Sequence, residues 1–120
     1  MPHILIVDDE PKILRLVHDF LTAAGFRTSL ARSGDEALMR VRTAAPDLVI
    51  LDLGLPGLDG YEVARQLRAR GSTVQIIAVS GYGTDQDRAQ SAAAGCDAHL
   101  LKPVDFDALC AQLATPSRVS

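Results

Sequence analysis

The chain has 120 residues, of which 48% are hydrophobic and 22% are charged, a composition typical of one globular domain. No apolar stretch approaches the ~18 residues that a transmembrane helix needs, and the amino terminus lacks the basic flank of a signal peptide, so we expect a soluble, cytoplasmic protein without membrane contact. A net charge of −3, 4% aromatic residues and no tryptophan argue against direct binding of nucleic acid.

The two cysteines, Cys96 and Cys110, lack Cys-x-x-Cys spacing and have no clustered histidine partners. This spacing gives no support for a disulfide framework or a zinc site. We therefore expect both cysteines to be small hydrophobic residues of the core.

Apolar runs alternate with amphipathic segments along the first half of the chain. The runs predict strands at residues 3–7, 27–31 and 48–52. A helix is predicted to begin at Pro11 and to end at Gly25, and Ser33 and Glu36 have the spacing of a capping box that starts a second helix. Pro46 marks the end of that helix, and a third is predicted to open at residues 59–60.

In the second half, strands are predicted at residues 74–80 and 98–101, and a helix at about 85–94. We expect the inner face of this fourth helix to consist of Ala89, Ala92 and Ala93. Alanine gains little from burial at ~25 cal/mol per Å², so this helix should shift readily. The last helix is predicted to bury a seam formed by Phe106, Leu109, Cys110 and Leu113.

Five strands that alternate with five helices predict an α/β fold, a doubly wound parallel sheet of the flavodoxin-like type with strand order 2-1-3-4-5. We expect residues 1–114 to form one domain and residues 115–120 a frayed tail. Ligands of such sheets bind outside the carboxyl ends of the strands. The side chains at those ends are therefore the candidates for function.

The strand ends carry Asp8 and Asp9, Asp52, Ser80 and Lys102. In the predicted strand order, the first, third, fourth and fifth strands are neighbours, so these five side chains should meet at one edge of the sheet. The alternative for Asp52 alone is that it lies just past a strand end and caps a turn.

Three carboxylates that lie a few ångströms apart repel one another by ~4 kcal/mol per pair at an effective dielectric near 20. Mg²⁺ would relieve this repulsion, bound by the three carboxylates and by the backbone carbonyl of Gly54. Asp52 could then attack phosphorus as an oxygen nucleophile. Lys102 and Ser80 could stabilise the transferring phosphoryl group.

Four sequence segments, V-D-D-E, L-D-L-G-L-P-G-L-D-G-Y-E-V, A-V-S-G-Y-G and L-L-K-P, occur in this order at the predicted strand ends. From Ile4 to Leu113, the chain resembles the receiver domains of bacterial two-component response regulators. The resemblance implies that Asp52 is the phosphoacceptor, that Asp8 and Asp9 help to hold Mg²⁺, that Ser80 is the switch hydroxyl and that Lys102 binds the phosphate.

The resemblance also implies a cis peptide before Pro103. His99 falls at a position where many receivers have a tyrosine or phenylalanine that swings inward when the switch hydroxyl moves. The alternative is a partly exposed histidine without a switching role. Gly54 and Tyr82 flank the expected site.

A receiver domain is not a turnover enzyme: the resemblance implies that it catalyses its own phosphorylation and slow autodephosphorylation. The phosphodonor would be a phosphohistidine of a histidine kinase or a histidine phosphotransfer protein. Phosphorylation would shift the population of conformations at the fourth helix, the fifth strand and the fifth helix. The chain is similar above all to receivers attached to hybrid histidine kinases, and we expect a monomer or a phosphorylation-dependent dimer. No output domain is expected, because the chain ends after its fifth helix.

Three other functions fit parts of the pattern. A phosphohydrolase of the haloacid dehalogenase type also uses a nucleophilic aspartate, but there the acidic pair comes late in the chain and an acid stands two residues after the nucleophile, where this chain has Gly54. A dinucleotide or flavin module would need G-x-G-x-x-G after the first strand, whereas here Gly81 and Gly83 follow the fourth strand and Gln86 stands where the last glycine is needed. A receiver fold used only for docking or dimerisation would not need the complete acceptor set.

Overall fold

The computed structural model describes residues 2–55, 57, 59–81, 83–102 and 105–113, the side chain of Leu113 excepted. Five strands and five helices alternate along the chain: β1 His3–Val7, α1 Pro11–Ala23, β2 Arg27–Ala31, α2 Gly34–Thr43, β3 Leu48–Asp52, α3 Gly60–Ala69, β4 Gln75–Ser80, α4 Asp85–Ala94, β5 Ala98–Leu101 and α5 Phe106–Leu113. The predicted number and order of elements are confirmed. Only β4 begins one residue later than the sequence pattern predicts.

The strands form one parallel sheet in the order β2-β1-β3-β4-β5, as predicted. Every residue of β1, β3 and β4 is buried, whereas β2 and β5 at the two edges are partly exposed. Continuous apolar strands are typical of parallel sheets because helices cover both faces. This order places the carboxyl ends of β1, β3, β4 and β5 side by side.

Each face of the sheet has its own hydrophobic core, because successive strand residues point to opposite faces. Leu5 and Val7 belong to the core beneath α2 and α3, to which Ala94 of α4 contributes. Ile4 and Ile6 belong to the core beneath α1 and α5. The helix α4 therefore shares a core with α3 and not with α5.

Helix caps differ from the prediction at α2. The Ser33 hydroxyl accepts a hydrogen bond from the Glu36 backbone N–H at 3.1 Å, but the Glu36 carboxylate accepts from the backbone N–H of Arg32 at 3.2 Å and not from that of Ser33. A complete capping box occurs instead at α4, between Thr84 and Asp87. The sequence signal at α2 thus predicted one of the two hydrogen bonds of the motif.

The predicted inner face of α4 is wrong. Ala89, Ala92 and Ala93 are exposed, and the buried residues of this helix are Ser91 and Ala94. Alanine is equally compatible with an exposed helical position because it has the highest helix propensity, so it gives no signal for the buried face. The small apolar contact area that we expected for α4 is still found, since its buried side chains are short.

The prediction for the cysteines is half right. Cys96 is partly buried against the core beneath α2 and α3, and burial raises the pKa of its thiol to about 11. Cys110 is exposed, because α5 turns the neighbouring Leu109 inward. Sequence neighbours on a helix lie ~100° apart and cannot both face the core directly.

The guanidinium of Arg68 ties the carboxyl end of α4 to α3 and β4. It donates to the carbonyl of Gly95 at 3.0 Å, to the carbonyl of Val74 at 2.6 Å and to the carboxylate of Asp97 at 3.0 Å. The same Asp97 carboxylate accepts from the backbone N–H of Ile76 at 2.8 Å. One side chain thus fixes the turn between α4 and β5 to the rest of the fold.

Among the described residues, no helix combines the length and the apolar character that crossing a membrane requires. The predicted tail at residues 115–120 lies outside the described residues.

Candidate functional site

The predicted site residues lie together at the carboxyl edge of the sheet. Asp8 follows β1, Asp52 ends β3, Ser80 ends β4 and Lys102 follows β5. An open cleft of about 600 Å³ lies over these ends and is lined by Asp9, Asp52, Gly54, Ser80 and Lys102, together with Leu53, Tyr61, Gly81, Asp87 and Gln90. The cleft is large enough for a phosphoryl group with its metal and water ligands.

Lys102 pairs with two buried carboxylates at the base of this cleft. Its ammonium nitrogen Nζ lies 3.1 Å from Oδ2 of Asp52 and 3.3 Å from Oδ2 of Asp8. The other oxygen of each carboxylate accepts a backbone N–H at 2.9 Å, from Gly54 in one case and Glu10 in the other. Asp52 therefore does cap its turn, but with one oxygen only, and the second oxygen faces the cation.

Burial and neighbouring charges shift the pKa values of Asp8 and Lys102. Burial raises the pKa of Asp8, the hydrogen bond from Glu10 opposes this effect, and the nearby charge of Asp52 adds to it. Burial alone would lower the pKa of Lys102, but the hydrogen bond and charge of Asp52, followed by those of Asp8, outweigh it and raise that pKa. The raised pKa means that Lys102 keeps its positive charge.

The carboxylates of Asp8, Asp9 and Asp52 offer one oxygen each, and these three oxygens all lie within 4.8 Å of one another. Asp8 and Asp52 are buried and Asp9 is exposed, so the group opens to solvent on one side. The Lys102 ammonium pairs with Asp8 and Asp52, and the group of three carboxylates supplies hard oxygen ligands that fit a divalent cation such as Mg²⁺. The role of the Gly54 backbone carbonyl as a metal ligand stays a prediction from the sequence.

Gly60 sets the position of Asp52. A Cβ atom at Gly60 would lie 2.5 Å from the backbone carbonyl oxygen of Asp52 and 2.6 Å from Cα of Leu53. The missing side chain thus allows the start of α3 to approach the end of β3. Asp59 caps this helix by accepting from the N–H of Glu62 at 2.9 Å.

His99 is buried, with 8% of its surface exposed, which contradicts the partial exposure that the alternative assumed. Its role in the switch stays a prediction. Its Nε2 lies 2.9 Å from Oγ of Ser80, and its Nδ1 lies 3.1 Å from Oγ of Ser91. The histidine thereby connects the predicted switch hydroxyl to α4. Sequence reasoning missed Ser91, for which the only signal was a polar residue in an otherwise alanine-rich stretch.

Tyr61, Asp87 and Gln90 also line the cleft and were not predicted. They come from α3 and α4, whose positions over the strand ends are tertiary features that spacing does not reveal. Burial and the charge of Asp87 raise the pKa of Tyr61, so its phenol stays neutral. The predicted flanking residue Tyr82 and the predicted cis peptide before Pro103 lie outside the described residues.

The comparisons with known proteins agree with this geometry. The sequence profile of the response regulator receiver domain matches residues 4–114. The transcriptional regulatory protein BaeR of Escherichia coli O6:H1 is 40% identical over 114 residues, which cover 95% of this chain and 47% of BaeR. The chain spans about half the length of the curated relatives that it matches.

Two solved structures illustrate the similarity of fold. The receiver domain of the Francisella response regulator 1452 superposes with a TM-score of 0.90 at 27% identity, covering 94% of this chain and 93% of that one. The response regulator TrrA of Thermotoga maritima, in complex with Mg(2+)-BeF, superposes with a TM-score of 0.84 at 36% identity, covering 94% and 96%.

The fold and the site define a module of two-component signalling. The chain belongs to the response regulator receiver domain family, whose members are phosphoacceptor domains. This family membership favours the receiver interpretation over a dehalogenase-type phosphohydrolase and over a dinucleotide module.

Proposed function

We propose that Asp52 is the phosphoacceptor of this receiver domain. The observation that carries the proposal is the position of its carboxylate, buried at the end of β3, 3.1 Å from the Lys102 ammonium and within metal-sharing distance of Asp8 and Asp9. The cleft above it admits a phosphodonor, and Ser80 lines the same cleft. No separate nucleophile is needed.

In the proposed step, a carboxylate oxygen of Asp52 forms a bond to phosphorus, and the bond between phosphorus and the donor imidazole breaks. The electron pair of that bond leaves with the imidazole nitrogen, so an acyl phosphate forms without an oxidant or reductant. Lys102 holds charge against the phosphoryl oxygens, and Ser80 can donate its hydroxyl proton to another of them. The protein thus promotes its own phosphorylation, and slow hydrolysis at the same site would reverse it.

The acidic cluster supports Mg²⁺ as the cofactor, held by Asp8, Asp9, Asp52 and the carbonyl of Gly54. The solved TrrA receiver was crystallised with Mg(2+)-BeF, which supports the same metal here. When bound, Mg²⁺ would supply positive charge to phosphoryl oxygens and relieve the repulsion between carboxylates.

The consequence of phosphorylation would be a shift in the surface formed by α4, β5 and α5. A change from 1% to 99% of an active state needs about 5.5 kcal/mol of differential stabilisation. One hydrogen bond from Ser80 provides about 0.5–1.5 kcal/mol, so the phosphoryl charge, the metal and Lys102 have to act together. His99 would follow Ser80 as the rotor of this switch.

The partners belong to the same proposal. The phosphodonor would be a phosphohistidine of a histidine kinase or phosphotransfer protein, and the domain would act as a monomer or dimerise on phosphorylation. Residues 1–114 would form the receiver. The likeness to receivers of hybrid histidine kinases and the cytoplasmic location stay predictions from the sequence; the relatives described above are response regulators.

Intact mass spectrometry after incubation with acetyl phosphate and Mg²⁺ tests the proposal. We expect one added phosphoryl group on the wild type and none on Asp52→Asn. Asp47→Asn is the matched control, because Asp47 is exposed just before the opposite end of the same strand and should leave phosphorylation unchanged. An unchanged wild-type mass, beside a receiver of known activity that is phosphorylated in parallel, would contradict the proposal.

A further inference from the structure

His99 is held from two sides of the fold by side-chain hydroxyl groups. Ser80 of β4 contacts Nε2 and Ser91 of α4 contacts Nδ1, at 2.9 and 3.1 Å. Ser91 is 2% exposed and lies on a helix that buries few apolar atoms. The guanidinium of Arg88 adds a hydrogen bond to the His99 carbonyl at 3.3 Å. Polar contacts at His99 therefore provide much of the attachment between α4 and β5.

The direction of these hydrogen bonds follows from the single proton of each hydroxyl. Ser91 Oγ donates to the carbonyl of Arg88 at 3.1 Å, so toward His99 it accepts, and Nδ1 carries the proton. In a neutral imidazole, Nε2 is then the acceptor. Consequently Ser80 donates its hydroxyl proton to Nε2 of His99.

We propose that Ser91 is a positioning residue that fixes the protonated nitrogen of His99 and thereby commits the Ser80 hydroxyl proton to the imidazole. A hydroxyl cannot donate its one proton to His99 and to a phosphoryl oxygen at the same time. Because of Ser91, the interaction of Ser80 with a phosphoryl group on Asp52 has to compensate for the loss of the hydrogen bond from Ser80 to His99. This inference rests on the proposed role of Asp52 and assigns Ser91, which contacts neither metal nor phosphate, a part in the switch.

Removal of Ser91 should change the tautomer of His99. In Ser91→Ala, Nδ1 of His99 loses its hydrogen bond to the serine hydroxyl, which favours the tautomer that carries the proton on Nε2 and donates it to Ser80. The Ser80 proton then becomes available to the cleft. Alanine is smaller than serine and favours helix, so the variant should fold.

The first measurement is the ¹⁵N chemical shift of the two ring nitrogens of His99, recorded by NMR in mildly alkaline buffer. We expect the wild type to have a protonated Nδ1 and an unprotonated Nε2. Ser91→Ala should shift the proton toward Nε2, and Ser91→Thr, which keeps the hydroxyl, should retain the wild-type pattern. Ring nitrogens that are the same in wild type and Ser91→Ala would overturn the proposal.

The second measurement is the affinity for beryllofluoride with Mg²⁺, a probe that mimics the phosphoryl group. We expect Ser91→Ala to bind it about two- to tenfold more tightly, the range for one hydrogen bond. Equal affinities in the two proteins would overturn the proposal even if the tautomer changes.

Ser33→Ala is the control, since it also removes a hydrogen-bonded serine hydroxyl from a helix, but at the start of α2. It should leave both the ring nitrogens and the affinity unchanged, and a change equal to that of Ser91→Ala would overturn the specific role. A wild type that binds no beryllofluoride would contradict the proposed function of Asp52, whereas the ring nitrogens report on Ser91 independently of Asp52.

Discussion

Gly60 shows how a single missing side chain positions the reactive group. The backbone carbonyl of Asp52 and Cα of Leu53 occupy the space where a Cβ atom would lie, at 2.5 and 2.6 Å. These neighbours are mainly backbone atoms of β3, which is paired on both sides and cannot easily move. A larger residue would push α3 away from the strand end or displace the Asp52 carboxylate.

Gly60→Ala is therefore expected to destabilise the fold by about 1–3 kcal/mol, the usual cost of overpacking. We also expect slower phosphorylation by acetyl phosphate, because the strand end that carries Asp52 moves. Denaturant unfolding measures the first effect and intact mass the second. Gly81→Ala is the stability control, since an added Cβ there meets no atom within 4 Å. Equal stabilities of the two variants would contradict this explanation.

At the scale of elements, α4 combines a small buried face with a complete capping box. Only Ser91 and Ala94 are buried, and its amino end is closed by its own capping box, in which Thr84 Oγ1 accepts from the Asp87 N–H at 3.1 Å. Helices in proteins are stabilised mainly by packing of an apolar face. With little such packing, the local cap contributes a larger share of the stability of α4.

Thr84→Ala should accordingly loosen α4 by about 1 kcal/mol, the typical value of an N-cap side chain. Hydrogen exchange followed by mass spectrometry should show faster exchange of amides in α4 and unchanged exchange in β1 and β3. In Ser33→Ala, the same loss at α2 should accelerate exchange there and not in α4. Uniform acceleration across the chain in Thr84→Ala would show that α4 does not open separately.

The elements and the site were predictable to different degrees. Strand bounds, within one residue at β4, and the residues at the strand ends followed from patterns local in sequence, because apolar runs and the residues that end them are adjacent in the chain. The sheet order and the group around Asp52 followed from the alternation of strands and helices, which is typical of a doubly wound sheet. The buried face of α4 did not, since it is decided by a polar contact between Ser91 and His99 that no periodicity encodes. The prediction that Cys110 is buried failed for a related reason: a residue next to Leu109 in sequence cannot point in the same direction on a helix.

For the molecule as a whole, we expect the cluster of Asp8, Asp9 and Asp52 to lower the free energy of unfolding, and a bound metal ion should remove this effect. The pKa of Asp8 is raised by burial and then by the charge of Asp52, with the Glu10 hydrogen bond opposing, so its charged form is disfavoured in the folded state. Such a group stabilises the fold while protonated, and this contribution is lost as the pH rises through its folded pKa. Above this folded pKa and without metal, ionised Asp8 therefore lowers the free energy of unfolding.

Asp8→Asn is expected to raise the melting temperature in metal-free buffer at neutral pH by about 3–5 °C, which corresponds to ~1 kcal/mol. The amide oxygen can still accept the Glu10 N–H, and the advantage should shrink in acid, where Asp8 is protonated. Mg²⁺ at about 100 times its dissociation constant should stabilise the wild type by ~2.7 kcal/mol and the variant by less. Differential scanning fluorimetry with Mg²⁺ or EDTA measures both effects; an equal response to Mg²⁺ would exclude Asp8 as a ligand.

The hydrogen bonds of the Arg68 guanidinium have a consequence for how α4 can move. Its bonds to Gly95 and Asp97 fasten the carboxyl end of the helix, where Ala94 is also buried, whereas the amino end is closed by a capping box within the helix itself. In a rearrangement, this helix should thus rotate about Gly95, with a displacement that grows along its length and is greatest at Thr84. Asp87 and Gln90, which line the cleft, would move with it.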